Sequence, residues 1–282
     1  MSRSRVVVLS LAALALVGAV GLYVQLRNTT TQVSEAAALA RFAEVDASAD
    51  AEEAALAVLE ALGEVDAPAP KNADPEPGSA EATGTGTLPL PRPGVYRLDV
   101  VGEETIDLLT GAGHVYPGDG FLTVTRSDCG VDIRSDFIAE RWQSISLCDG
   151  PLGPELVGEE IFHSFFGQED LVVRICSESS IAAGIETWRC EGDTSVAVRS
   201  VSVERADRVV LDEERSVLVV TTSLLEGDKP GNVEDIEIWW DLETGLPVLE
   251  RRAYDFTLDT PLGDAAYDEM YEAALTSLFP IN

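Results

Sequence analysis

The segment EIWWDLETGLPVLERRAYDFTL, residues 237–258, decides the fold. Two alternating apolar–polar runs flank Asp241-Leu242-Glu243-Thr244-Gly245-Leu246-Pro247, and Gly245 stands where a tight turn demands positive φ. Alternation of period two sends successive side chains to opposite faces of a strand, so the segment reads as a β-hairpin with one buried face. Trp239 and Trp240 are consecutive, so one of them faces outward or into a covered concavity.

The same texture spreads in both directions. Residues 95–100, 121–125, 131–134, 161–167, 195–203 and 215–222 alternate, separated by Gly, Asp and Pro. Glu226-Gly227-Asp228-Lys229-Pro230-Gly231 breaks the chain after one of these runs. Residues 266–278 read as a last strand, although Tyr267, Met270, Tyr271 and Leu275 would also suit a helix. Short sequential strands without intervening helices predict an antiparallel meander, so the fold class is mainly β.

The N-terminal side is different. Arg3 and Arg5 precede an uncharged apolar run from Val6 to Val24, 19 residues that can just cross a bilayer as a helix. Its end is bulky and holds no Ala-x-Ala, and Tyr23 suits an interfacial position, so residues 1–27 predict an uncleaved signal-anchor with a cytoplasmic N-terminus. A cleaved signal peptide is the alternative. Residues 28–92 read as an acidic linker: residues 34–63 are Ala- and Glu-rich and predict a short or transient helix. Residues 67–93 are rich in Pro, Gly, Thr and acids and predict a disordered spacer. Residues 93–282 form the expected extracytoplasmic β domain.

Four Cys support export: Cys129, Cys148, Cys176 and Cys190. Two disulfides are expected; of three possible pairings, the local one, Cys129–Cys148 with Cys176–Cys190, braces neighbouring strands. No paired Cys-x-x-Cys or His spacing suggests zinc, and no metal or cofactor is expected. The formal net charge is −31, and residues 93–282 alone carry 38 acids against 13 bases. Such a field repels phosphate backbones, which excludes nucleic acid as a natural partner and leaves room for a cationic one.

Catalytic patterns are sparse. Only two His occur, His114 and His163, and Ser164 beside His163 points to the opposite face of a strand. Neither a Gly-x-Ser-x-Gly motif nor a phosphate loop is present. The aromatic residues instead fit either a filled core or an apolar pocket. Trp142, His163, Phe165, Trp239 and Trp240 are the candidate ligand contacts.

From Gly94 onward, the motifs Gly94-Val95-Tyr96, Gly113-His114-Val115-Tyr116-Pro117, Cys129-Gly130, Arg141-Trp142, Cys148, His163-Ser164-Phe165-Phe166-Gly167-Gln168 and Thr244-Gly245-Leu246-Pro247 resemble a group of secreted or anchored actinobacterial proteins. The architecture resembles the LolA/LppX type, which implies a curved antiparallel half-barrel whose concave face accepts acyl chains. The expectation is therefore a non-enzymatic, membrane-anchored protein binding an apolar or lipidic ligand or a cell-envelope protein. The alternatives are an acidic scaffold recruiting a cationic protein, and an envelope hydrolase.

Overall fold

The computed structural model describes residues 30–62, 88–107, 112–165, 167–177, 180–182, 187–193, 195–260 and 263–281. The expected membrane segment and most of the Pro/Gly-rich stretch lie outside them. Among the described residues no helix is long and apolar enough to cross a membrane.

Among the described residues one helix, α1 (Glu35–Leu62), precedes the strands. The strands among the described residues are β1 (Gly94–Ile106), β2 (Ala112–Val115), β3 (Gly118–Ser127), β4 (Gly130–Ile138), β5 (Arg141–Gly150), β6 (Gly153–Phe165) and β7 (Gln168–Ser177). They continue with β8 (Thr187–Glu191), β9 (Val196–Val210), β10 (Glu213–Glu226), β11 (Val233–Asp241), β12 (Pro247–Thr260) and β13 (Gly263–Leu275). Every neighbouring pair is antiparallel, so the expected meander is present, and the last segment is a strand rather than a helix.

The expected half-barrel is instead a closed barrel. β13 pairs with β1 from Leu98 opposite Leu275 to Ile106 opposite Tyr267. β2 and β3 lie end to end on the other edge of β1, so the ring has twelve strand positions. Alternation tells which face of a strand is buried, but it does not tell whether the first and last strands meet. Closure removes the free edges that a half-barrel would leave.

The inward-facing rows are layered. On β12 they run Val248, Glu250, Arg252, Tyr254, Phe256, Leu258, and on β13 Leu275, Ala273, Tyr271, Glu269, Tyr267, Ala265. One end of the barrel is thus an apolar core, the middle is ionic and tyrosine-rich, and the other end is again apolar. The first end is shut. Leu88, Ile181, Leu246 and Trp240 are buried there beside Val124, Val131 and Leu147. Gly245 has φ +72, and a Cβ on it would meet the Pro89 carbonyl at 2.1 Å, so the turn needs glycine for both reasons.

Residues 30–48, read from the sequence as linker, pack on the outer wall. Val33 and Ala38 are buried against the outward side chains Val95 and Phe121 of β1 and β3, with Leu39 and Phe42 alongside. Ser34 caps α1 by accepting the Ala37 N–H at 3.2 Å. Arg41 donates to Asp136 at 2.5 Å, and the Thr31 N–H donates to Glu140 at 2.8 Å. The apolar pair Val95 and Phe121 on the outer wall gives the helix something to bury. Leu88 and Leu90 likewise belong to the folded unit, which begins before residue 93.

Both local disulfides are formed. Cys129–Cys148 ties the β3–β4 turn to β5, and Cys176–Cys190 joins directly opposed residues of β7 and β8. The outer wall carries charged side chains at mid-strand, for example Arg251 bridging Glu237 and Glu272.

Candidate functional site

The barrel end opposite the plugged core holds a cavity of about 610 Å³. This lies inside the size range of small-molecule sites. One wall is apolar: Ile106, Ile161, Phe165, Tyr267, Phe256 and Leu258. Phe165, Ile106, Tyr254, Ala265 and Tyr267 form a compact cluster of their own, with Phe256 and Leu258 against it. The facing wall is ionic and comes from β7, β9, the β10–β11 loop and the start of β11. There Arg174, Arg199, Asp228, Lys229 and Glu234 line the space.

The ionic wall is internally paired. Glu159 receives Arg174 Nη1 at 2.7 Å and Arg199 Nη1 at 3.0 Å, while Arg199 Nε donates to Glu234 at 2.5 Å. Arg174 also reaches Ser195 Oγ at 3.1 Å and Asp228 at 3.7 Å. Lys229 pairs with Asp264 at 3.1 Å. Burial works to raise the Glu159 carboxyl, but the charges and hydrogen bonds of Arg199 and Arg174 outweigh it and hold the group at about 2.

A second cluster joins the apolar wall to the middle layer. Glu104 on β1 is wholly buried and sits between two imidazoles and a phenol. His114 Nδ1 lies 2.6 Å from Oε1, Tyr267 donates to Oε2 at 2.8 Å, and His163 Nδ1 lies 3.3 Å from Oε2. Burial again raises the carboxyl, and the hydrogen bonds from His114 and His163, with the nearby charges of His163 and Arg141, bring it down to about 2. Burial, then the Glu269 and Glu104 charges, push the Tyr267 phenol well above its ordinary value. The phenol therefore stays protonated and donates.

Beneath these clusters Arg141 and Glu269 meet Tyr116, and Glu250 gathers Gln143 Nε2 at 2.6 Å, Tyr271 at 2.7 Å and Arg252 Nε at 2.8 Å. Each charged group in this layer has a partner of opposite sign or a hydrogen bond, as burial requires.

The sequence candidates divide. His163 and Phe165 line the cavity. Trp142 lies on the outer wall, stacked on Phe162 at 5.3 Å with the Arg134 guanidinium 3.6 Å over its ring. Trp239 also faces out, between Arg208 and Arg251, while Trp240 is buried in the plugged end. These three do not line the main cavity. Ser164 points away from His163 and donates its N–H to the Glu140 carbonyl. Among the described residues no group of three or more His, Cys, Asp or Glu side chains could hold a metal ion.

Sequence reasoning missed Glu104, Glu159, Arg174, Arg199, Glu234 and Tyr267. The signal was parity: in the row Val248, Glu250, Arg252, Tyr254, Phe256, Leu258 the charges share a face with residues that must be inside. No family model, no curated protein and no solved structure matches this chain.

Proposed function

We propose that the chain is a non-enzymatic binding protein of the cell envelope, whose barrel takes an apolar-bodied, amphipathic ligand through its unplugged end. The observation that carries this reading is the contrast between the two ends. Leu88, Ile181 and Leu246 fill one, whereas at the other the cluster of Phe165, Tyr267, Phe256 and Leu258 borders an open cavity of about 610 Å³. Whatever apolar surface of this wall borders the open space forgoes burial on the order of 25 cal/mol per Å², a cost that an apolar ligand removes. The apolar N-terminal run and the two disulfides favour placing the barrel outside the cytoplasm. The resemblance to acyl-binding carriers agrees with such a ligand.

The test uses the full chain and the neutral fluorophore N-phenyl-1-naphthylamine. Saturable binding with blue-shifted emission is expected, and Leu258→Trp, which fills the cavity mouth, should weaken it at least about tenfold. Equal binding by both proteins, with circular dichroism confirming that both are folded, would remove the cavity from consideration. Native mass spectrometry after mild extraction would then identify any co-purified ligand.

A further inference from the structure

The cavity's polar groups select a head-group, and this inference rests on the ligand-binding reading above. His163 is the group to follow. Its Nδ1 points toward Glu104 Oε2 at 3.3 Å and Tyr267 Oη at 3.2 Å. The Glu104 carboxyl, held at about 2, is ionised and can only accept. Tyr267 gives its own proton to that carboxylate at 2.8 Å, so its oxygen has a lone pair left to accept. Both neighbours therefore require the proton on Nδ1. The edge of Tyr267 meets the His163 ring at 5.1 Å and 85°, which fixes the ring plane. In the neutral imidazole the proton-free nitrogen is then Nε2, on the side of the ring opposite Glu104, where His163 lines the cavity.

A second observation gives the sign of the field around it. Asp170 stands directly opposite His163 in the β6–β7 ladder, and both line the cavity. Directly opposed inward residues place their Cβ atoms about 5 Å apart. The bases of this cavity are already engaged: Arg174 with Glu159 and Asp228, Arg199 with Glu159 and Glu234, Lys229 with Asp264. Among the described residues Asp170 has no ion-pair partner. With the His163 ring neutral, the groups next to the apolar wall are its Nε2 and the Asp170 carboxylate, both acceptors.

We infer that His163 Nε2 and Asp170 form a subsite for a hydrogen-bond donor head, a hydroxyl or a protonated amine, on an apolar body that lies along Phe165, Tyr267, Phe256 and Leu258. A carboxylate head finds no uncommitted cation there and faces the Asp170 charge. The ligand class is an alcohol- or amine-headed amphiphile rather than a free fatty acid.

The experiment displaces N-phenyl-1-naphthylamine from the full chain at pH 8 with 1-dodecanol, dodecylamine or laurate, each below its micellar concentration. Dodecanol and dodecylamine should displace at concentrations about tenfold below laurate. His163→Phe should abolish the dodecanol advantage, and Asp170→Asn should improve laurate about threefold while weakening dodecylamine. Laurate displacing as well as dodecanol from the unaltered chain would overturn the inference while leaving the cavity reading intact. So would an unchanged laurate-to-dodecanol ratio in both variants. If the fluorophore binds but none of the three compounds displaces it, no donor-head subsite operates. Absence of fluorophore binding to the unaltered chain would instead strike the cavity reading itself.

Discussion

Arg141 and Glu269, 128 residues apart, form a two-pronged ion pair in the middle of the barrel, with Nε 2.9 Å from Oε1 and Nη2 3.0 Å from Oε2 and neither side chain accessible to solvent. Arg141 stands beside the β4–β5 turn and Glu269 in the strand that closes the ring, so the pair spans the interior. Removing one member leaves a buried charge without its counter-charge. Glu269→Gln is therefore expected to destabilise the fold by about 3–5 kcal/mol, whereas Arg141→Met with Glu269→Leu should recover most of that loss. Urea denaturation of the three proteins measures it, and equal losses in the single and double variants would show that the pair does not act as a unit.

Acid should unfold the barrel in a defined window. Glu104 and Glu159 are each held at about 2 against an ordinary value of 4.5, so their stabilising contribution is present above pH 4.5. It is lost as pH falls from 4.5 toward 2, since protonation releases the two imidazoles and two guanidiniums that hold them. Each contributes on the order of 3 kcal/mol at neutral pH. Thermal melts at half-unit pH intervals should show Tm falling below pH 4.5, and Glu104→Gln should flatten that slope. A Tm independent of pH between 5 and 2.5 would contradict the assignment.

The β9–β10 hairpin carries a local conflict. Leu211 and Asp212 have φ of +52 and +64, the left-handed region that side chains such as leucine avoid. A two-residue turn of this kind prefers Asn-Gly. Leu211→Asn with Asp212→Gly should stabilise by about 1 kcal/mol and raise Tm by about 2–4 °C. A lower Tm in the double variant would mean that Leu211 makes a contact worth more than its strain.

The hairpin around Gly245 was legible because its alternation and its turn agree: Trp240, Val248 and Tyr254 are inside, and Asp241 accepts the Glu243 and Thr244 N–H groups at 2.9 and 3.2 Å. β5 and β7 were not legible. On β5 the inward positions hold Arg141 and Gln143, and on β7 they hold Asp170 and Arg174 while Leu171, Val173 and Ile175 face out. Polar residues inside and apolar ones outside invert the pattern by which a strand is recognised. The same inversion hid the site, because the cavity is defined by charges that pair across strands more than 30 residues apart, as Arg199 does with Glu159 and Glu234. Closure was illegible for a further reason: it depends on β1 meeting β13 across nearly the whole barrel sequence.

Among the described residues β7 and β8 are laddered only at Ile175–Glu191, Cys176–Cys190 and Ser177–Arg189, so the shortest seam in the wall is the one carrying a covalent bridge. A hoop under tension parts at its narrowest join, and the sulfur bridge is the clasp at that join. Reduction should therefore slacken the whole circumference rather than one corner. Cys176→Ser with Cys190→Ser is expected to cost about 3 kcal/mol. It should also speed amide exchange first in β7 and β9, on either side of the clasp, before β12 and β13 respond.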